Sequence, residues 1–360
     1  MFQKKKSRNL SVNSRKPEAQ KLLGFSKKKK MKKNVLITGA SGFIGSHLAE
    51  SLLENGYEVW CAVRATTSRK YLSDSRLHFL ELNLSSSSQM EDVLRGEKFD
   101  VIVHAAGATK CTKKSDFYKI NTEGTRNLVT ALENIYTEEK PRFILVSSLS
   151  VINSIPSEAL GKPTAYGESK LKAEEVVRAS RLPYVILRPT GVYGPREKDY
   201  FLMVQSIKQH SDFSVGYKPQ MLTFVYVSDV VQAIEKSITQ PAERVLGKTF
   251  ALSDGREYSS RTFSDLIIDS LEKIEGKRTW VLRIKAPLFV LRAICFFGEI
   301  YIRLTGKLIT LNNDKYNILS QRDWRCDISP AREFLGYEPK VQLEEGVMNS
   351  VKWYKDNKWI

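Results

Sequence analysis

The sequence predicts an α/β fold, a doubly wound parallel sheet with a smaller C-terminal α+β lobe. Three observations predict it. Over residues 34–194, short apolar runs alternate with segments of helical period, as strands do when helices carry the chain back for parallel pairing. The first apolar run passes directly into Gly39-x-x-Gly42-x-x-Gly45. Small or polar residues recur where the runs stop, at Arg64, Asn83, Ala106 and Ser148. That would bring them to the carboxyl edge, where such sheets bind ligands.

Taken in order, Val35 to Ile37 is the first strand, and Phe43, Ile44, Leu48, Ala49, Leu52 and Leu53 mark the first helix. Gly39 permits the tight turn, Gly42 lets a pyrophosphate reach the backbone, and Gly45 lets helix pack closely on strand. The helix start offers free N–H groups and a positive dipole end to phosphate. Glycines at this spacing are a weak signal alone. Between a strand and a helix they become a dinucleotide-binding signature, with Ser41, Phe43 and Ile44 as further cofactor contacts. Residues 57–64 form the second strand, whose last residue selects the cofactor. A carboxylate there accepts the ribose 2′-hydroxyl of NAD; an arginine accommodates the 2′-phosphate of NADP. Arg64 holds that place, with no carboxylate before Asp74. NADP(H) is therefore the expected preference and NAD(H) the other choice, a plain solvated arginine being the alternative.

Residues 77–84 form the third strand, ending in Asn83 and Leu84. Residues 99–107 form the fourth, ending in Ala105, Ala106 and Gly107, small enough for a flat cofactor to lie on the backbone. A helix begins near Asn121, residues 141–148 form the fifth strand, a helix covers 171–179, and residues 184–189 form the sixth strand. Pro189 and Val192 complete the expected cofactor edge. The expected boundaries are 32–194 for the nucleotide-binding domain, with 224–252 returning to it, and 195–223 and 253–350 for a substrate-binding lobe.

A formal net charge of +17 invites a nucleic-acid reading. Its distribution argues against one. Residues 1–33 carry 13 Lys or Arg and one acid, Glu18, while the remaining 327 carry 44 basic and 39 acidic groups. No specific nucleic-acid partner is expected. Residues 1–31 read as a basic, disordered tail without a secretory apolar core. Three readings of it stay open: a start upstream of the natural one at Met31, a solvated tail, or a basic arm for anionic lipid or nucleic acid. Cys61, Cys111, Cys295 and Cys326 are far apart and form no C-x-x-C pair, so a reducing, cytoplasmic setting is expected. Four scattered histidines add no ligand spacing, and no metal is expected.

Tyr-x-x-x-Lys occurs three times, at Tyr136/Lys140, Tyr166/Lys170 and Tyr354/Lys358. Context selects the second. Its members lie one helical turn apart on one face, after the fifth strand, with Ser148 eighteen residues upstream. The other two read as chance surface pairs. Delivering hydride to a ketone needs a proton for the developing alkoxide. A phenol, with a pKa of about 10, serves poorly at neutral pH unless a nearby ammonium lowers it. Tyr166 and Lys170 supply that pair, Lys170 also holding the nicotinamide ribose. Ser148 is expected to hydrogen-bond the substrate oxygen and Asn121 to anchor a proton-relay water. A hydroxyl cap and a helix N-cap are their plainer alternatives.

These residues resemble those of the extended short-chain dehydrogenase/reductases, the NAD-dependent epimerase/dehydratase group. The likeness runs from Gly39-Ala-Ser-Gly-Phe-Ile-Gly45 through Ser148, Tyr166/Lys170 and Arg188-Pro-Thr-Gly-Val-Tyr-Gly-Pro195 to Leu335-Gly-Tyr-Glu-Pro339, over about residues 32–350. It implies a Rossmann fold with a C-terminal substrate lobe, and the roles given above for Tyr166, Lys170 and Ser148. Sugar-nucleotide members usually carry an asparagine before Val-Tyr-Gly-Pro, and Arg-Asp-Phe before Tyr-Val-x-Asp. Here those places hold Gly191 and Leu222-Thr223-Phe224. With Arg64 and the Arg-Pro-Thr form, the chain is more similar to the 3β-hydroxysteroid dehydrogenase and dihydroflavonol reductase branches.

Residues 287–304 form a very apolar helix interrupted by Arg292, Glu299 and Arg303. That narrow polar stripe argues against a membrane span. Three readings remain: a core helix of the lobe, a lid over an apolar substrate, or a peripheral membrane contact. The expected activity is NAD(P)-dependent interconversion of a secondary alcohol and a ketone on an apolar, steroid-, lipid- or polyphenol-like substrate. A nucleotide-sugar epimerase or dehydratase is the alternative. A non-catalytic cofactor-sensing protein fits the intact Ser148, Tyr166 and Lys170 set least. A homodimer stays open.

Overall fold

Apolar strands that alternate sides need a covering layer on both faces, and helices at two levels supply it here. The computed structural model describes residues 33–360 apart from 156–157, 159–160, 219 and 307–312. The expectations for residues 1–31, and for the side chain of Arg303, lie outside the described residues. The chain enters at β1 (Asn34–Thr38), crosses through α1 (Phe43–Glu54) to β2 (Glu58–Val63) and reaches one sheet edge at β3 (His78–Glu81). After α2 (Ser87–Leu94) it returns on the other side of β1 as β4 (Val101–His104). A short helix α3 (Lys114–Phe117) runs through a π-helical turn at Tyr118–Glu123 into α4 (Gly124–Ile135) and β5 (Arg142–Val146). A 3-10 segment (Leu149–Ser154), α5 (Ala165–Ala179) and β6 (Tyr184–Pro189) follow.

Beyond β6 come β7 (Gly191–Tyr193), α6 (Asp199–Lys208), β8 (Ser211–Val215), β9 (Met221–Leu222), β10 (Phe224–Tyr226), α7 (Val227–Thr239), α8 (Ala242–Val245) and β11 (Lys248–Leu252). The last elements are β12 (Tyr258–Ser259), α9 (Thr262–Glu275), β13 (Leu282–Ala286), α10 (Leu288–Thr305), α11 (Asn313–Ser320), a π turn at Ala331–Leu335 and α12 (Leu343–Asp356).

The main sheet has seven parallel strands in the order β3-β2-β1-β4-β5-β6-β11. This is a Rossmann sheet, and its order reverses between β1 and β4, where such folds hold ligands. Alternation splits the strands between two cores. Val35, Ile37, Val103 and Ile144 face α1 and α7 through Leu48, Leu52, Val230 and Ile234. Leu36, Ile102, Phe143 and Leu145 face α4 and α5 through Leu128, Leu132 and Val177. Burial on both faces explains why the strands read as continuous apolar runs. Several strands are shorter than the runs suggested, because their last residues leave the ladder to build loops at the carboxyl edge.

A third core gathers α6, α9 and α12 around Tyr193, Phe224 and Phe263. Small ribbons flank it: β8 with β13 parallel, β9 with β12 antiparallel. The lobe expected to end at 350 continues, since α12 runs to Asp356 and both Tyr354 and Trp359 pack into this core. α10 corrects the core-helix reading. Among its described residues only Leu291, Cys295, Gly298 and Ile302 are buried, while most of its large apolar side chains face outward. Among the described residues no helix is long and apolar enough to cross a membrane.

Candidate active site

Between β1 and α1 the backbone turns on Gly39, at φ +72°, and Gly42 N–H donates to the Gly39 carbonyl at 2.9 Å. A Cβ at Gly39 would lie 2.6 Å from the Ala106 nitrogen, and one at Gly45 would collide with the Gly39 carbonyl. Only glycine lets β1, the end of β4 and α1 meet this closely. Gly42 opens outward and is exposed. α1 has no side-chain cap and no acid in its first turn, which leaves its leading N–H groups and positive dipole end for an anion. The cradle fits a dinucleotide pyrophosphate.

Parallel pairing carries the other expected cofactor residues to the same edge. Ser41, Phe43 and Ile44 are half-buried around the turn. Ala105 N–H donates to the Thr38 carbonyl (3.1 Å) and Ala106 N–H to Thr38 Oγ1 (3.4 Å). Arg64 follows β2 with its side chain exposed and its N–H on Thr67 Oγ1 at 3.1 Å. Asn83 Oδ1 accepts from Ser85 N–H at 3.1 Å, and Leu84 packs against the Gly124 position. Pro189 is buried at the end of β6, and Val192 fills the seam between the first and third cores. Between them the Thr190 hydroxyl is buried without a partner among the described residues.

α5 brings the candidate catalytic pair to this edge. Thr164 Oγ1 caps it, accepting from Gly167 N–H at 3.0 Å. Asp314, in the first turn of α11, accepts from Ala165 N–H at 3.1 Å and from Tyr166 N–H. The Tyr166 ring meets Phe117 edge-on, centroids 6.0 Å apart, and its hydroxyl hydrogen-bonds Ser148. One turn on, the buried Lys170 donates from Nζ to the Val146 carbonyl at 2.8 Å, two residues before Ser148. A Cβ at Gly107 would stand 3.1 Å from Asn121 Oδ1 and 3.8 Å from Lys170 Nζ, so the loop after β4 forms the wall beside both.

The electrostatics correct two expectations. Burial pushes the Tyr166 phenol up, and the opposing influence is the Ser148 hydrogen bond, not Lys170. Burial pulls Lys170 itself down to about 8, with Glu174 opposing. Asn121 is not an N-cap. It lies inside the π turn, Oδ1 accepts from Ala108 N–H (2.8 Å), and Nδ2 donates to the Ala108 carbonyl (3.1 Å) and Ser169 Oγ (2.9 Å). Both amide protons are taken, so its side chain clasps the loop after β4 to α5.

The decoy tyrosines are not surface residues either. Tyr136 and Tyr354 are buried. Tyr136 Oη accepts from Phe99 N–H at 3.0 Å, and Tyr354 Oη reaches the carbonyls of Gly194 (3.2 Å) and Glu197 (3.0 Å).

Three supporting residues escaped sequence reasoning. Glu174, fully buried, accepts from Ser147 Oγ (2.5 Å), from Arg188 through two bonds (3.0 and 2.7 Å) and from Arg178 (2.9 Å). It ties β5, β6 and α5 together, and its place four residues after Lys170 was the available signal. His104 bridges Thr38 Oγ1 (2.6 Å) and Thr125 Oγ1 (2.9 Å), and Thr125 Oγ1 donates on to the Asn121 carbonyl (2.6 Å). Burial, with Lys170 adding, drives His104 down to about 3 and keeps it neutral. Nothing in the spacing of His104 or Asp314 marked either one.

A glycine turn at the switch point of a Rossmann sheet, with Ser148, Tyr166 and Lys170 beside it, defines an enzyme of the extended short-chain dehydrogenase/reductase class. The profile of the NAD dependent epimerase/dehydratase family matches residues 35–253, and the chain belongs to that family. It is 25% identical to a ceramide reductase of Caulobacter vibrioides, over 91% of this chain and 96% of that one. It is 24% identical to a decarboxylating sterol-4-alpha-carboxylate 3-dehydrogenase of Candida albicans, over 90% and 98%. A UDP-glucose 4-epimerase of Vibrio cholerae is 28% identical, over 88% and 94%. The fold superposes on the crystal structure of a UDP-glucose 4-epimerase from Thermotoga maritima with a TM-score of 0.70 at 22% identity, covering 90% of this chain and 99% of that one.

Proposed function

We propose that the protein interconverts a secondary alcohol and a ketone on an apolar, lipid- or steroid-like substrate, with NADP(H) preferred. The observation that carries this reading is what occupies position 191. A Cβ at Gly191 would collide with Tyr200 Oη and come 3.4 Å from the Phe224 ring. Aromatic side chains take the room in which sugar-nucleotide members carry an asparagine. Leu222, where an arginine would grip diphosphate, packs half-buried against the same core. Neither the aromatic rings at 191 nor Leu222 offers a diphosphate a charge-assisted hydrogen bond to offset its lost hydration; an apolar molecule needs none. Two relatives are named for ceramide and sterol substrates, in keeping with this reading.

The roles follow from the geometry. Bound at this edge, the nicotinamide supplies or accepts the hydride. Ser148 Oγ holds the substrate oxygen, and Tyr166 Oη gives it a proton on reduction or takes one on oxidation. Lys170, charged below about pH 8, would hold the cofactor ribose, and the Ser148 hydrogen bond favours the phenolate form of Tyr166. Glu174 and Asn121 keep the strand end and the loop after β4 in place. At the outer edge, the exposed Arg64 guanidinium can pair with a 2′-phosphate through two parallel hydrogen bonds. Such a charge-assisted contact contributes roughly 1.5–3 kcal/mol, trimmed by salt.

The test is one assay panel following NAD(P)H absorbance, with long-chain keto-lipids, 3-ketosteroids and UDP-sugars. Turnover is expected on an apolar ketone, with NADPH favoured over NADH by about one to two orders of magnitude in kcat/KM. Arg64→Asp should erase or reverse that preference. Conversion of a UDP-sugar alone would reassign the protein to epimerase chemistry. Equal use of both cofactors by the wild type would move selectivity away from Arg64.

A further inference from the structure

α10 buries its less apolar side. Leu291, Cys295, Gly298 and Ile302 face the protein. Outward stand Phe289 (74% exposed), Phe296, Phe297 (66%), Ile300, Tyr301 and Leu304 (81%). The polar stripe read from the sequence runs along one margin of that face, with Arg292 exposed and Glu299 half-buried. The ribbon leading into α10 repeats the pattern. Ile284 and Phe213 are register partners on one face of β13 and β8, Leu282 lies two residues along that face, and all three are exposed. Trp280 and Tyr217, rings with one polar end, are exposed beside them. An outward face of this size on adjoining elements marks a contact with something apolar.

Charge identifies the partner. Residues 277–307 carry seven Lys or Arg against one acid, Glu299. Arg283 turns to Asp212 (3.7 Å) and Asp265, and Lys277 to Glu275 (3.1 Å). Lys218, Arg278, Lys285 and Arg292 stay exposed. A second copy of this chain would bring like charges together at the rim. A surface with anionic headgroups over an acyl layer complements both the rim and the apolar face, and Trp and Tyr favour that boundary.

We infer that α10 and the β8–β13 ribbon lie in the surface of an anionic phospholipid bilayer, the chain resting on the membrane without crossing it. The buried side of α10 lines the candidate active site's surroundings. Glu299 and Ile302 share a narrow cavity with Cys111, Lys114, Phe117 and Asp314. Phe117 touches the Tyr166 ring, and Asp314 holds the Tyr166 N–H. α10 thus stands between the lipid and the two residues, Phe117 and Asp314, that contact Tyr166. On the reading of an apolar substrate, contact at α10 brings the chain to the layer that holds such molecules, with the other side of the same helix bordering Phe117 and Asp314.

The test is co-sedimentation of the full chain with phosphatidylcholine vesicles, with and without phosphatidylserine. The wild type should partition to the phosphatidylserine vesicles. Phe289→Ser/Phe297→Ser/Leu304→Ser should lower that partition by about tenfold or more, with unfolding temperature and NADPH binding unchanged, because all three side chains are already in solvent. Lys285→Glu/Arg292→Glu should remove the preference for phosphatidylserine while keeping the apolar face. Partition of the triple variant equal to wild type would overturn the inference and assign binding elsewhere, first to the basic residues 1–33. Concentration-dependent dimers abolished by the triple variant, without vesicle binding, would overturn it in favour of a second copy. Tyr166→Phe should bind vesicles as wild type does. A protein that turns over its ketone yet ignores vesicles therefore sinks the membrane inference and leaves the proposed activity standing.

Discussion

At the scale of the residue, three tyrosines with the same spacing to a lysine do different jobs. Tyr166→Phe removes the proton-carrying hydroxyl and keeps the ring, so kcat should fall by about 10²-fold or more. Tyr136→Phe and Tyr354→Phe should keep kcat and lose stability instead, since each hydroxyl serves buried backbone groups. Leaving such a group unpaired costs about 1–3 kcal/mol. Turnover and thermal unfolding measured on all three variants separate the cases. A kcat loss at either decoy in a folded protein would unseat Tyr166.

Lys170 makes a second residue-scale prediction. Burial holds its folded pKa near 8, with Glu174 opposing, below the roughly 10.4 of an unfolded lysine. If the ammonium holds the ribose, kcat/KM falls as pH rises through about 8. Stability should move the other way. Between those two values the unfolded chain binds the proton and the folded one does not, so unfolding free energy rises with pH across that window and is flat below it. Denaturant titrations at several pH values check the slope, and Lys170→Met should remove it. A slope that persists in Lys170→Met would belong to another group.

At the scale of the element, α5 carries the candidate pair, but its start is shaped by a helix far away in the chain. Asp314 in α11 accepts from the N–H groups of Ala165 and Tyr166, 149 residues from Ala165. A carboxylate at a helix N-terminus is worth roughly 0.5–2 kcal/mol. Asp314→Ala should therefore loosen the Tyr166 backbone and lower kcat by about three- to thirtyfold, with little change in the cofactor KM. Asp314→Asn, which keeps an acceptor oxygen, should recover most of it. If the two variants fall equally while the fold holds, Asp314 acts by charge rather than by holding the backbone. The same scale shows why strand ends were misjudged. Asn83 and Gly107 continue apolar runs in the sequence, yet the ladder releases the chain first, because a loop must form where ligands bind.

At the scale of the whole molecule, the sequence by itself determined what depends on neighbours in the chain. The turn at Gly39, Gly42 and Gly45 needs residues a few positions apart. Strand–helix alternation is written in local period, and Tyr166 with Lys170 in one helical turn. The expected edge of Arg64, Asn83, Ala106 and Ser148 followed, because parallel strands all end on one side. Tertiary structure alone decided the rest. It closed the Asn121 amide on Ala108 and Ser169, set Glu174 between Arg188 and Arg178, and buried the decoy tyrosines. It also turned the apolar face of α10 outward. Periodicity finds an apolar stripe, but which side of it meets protein depends on elements tens of residues away, whose packing no local pattern encodes.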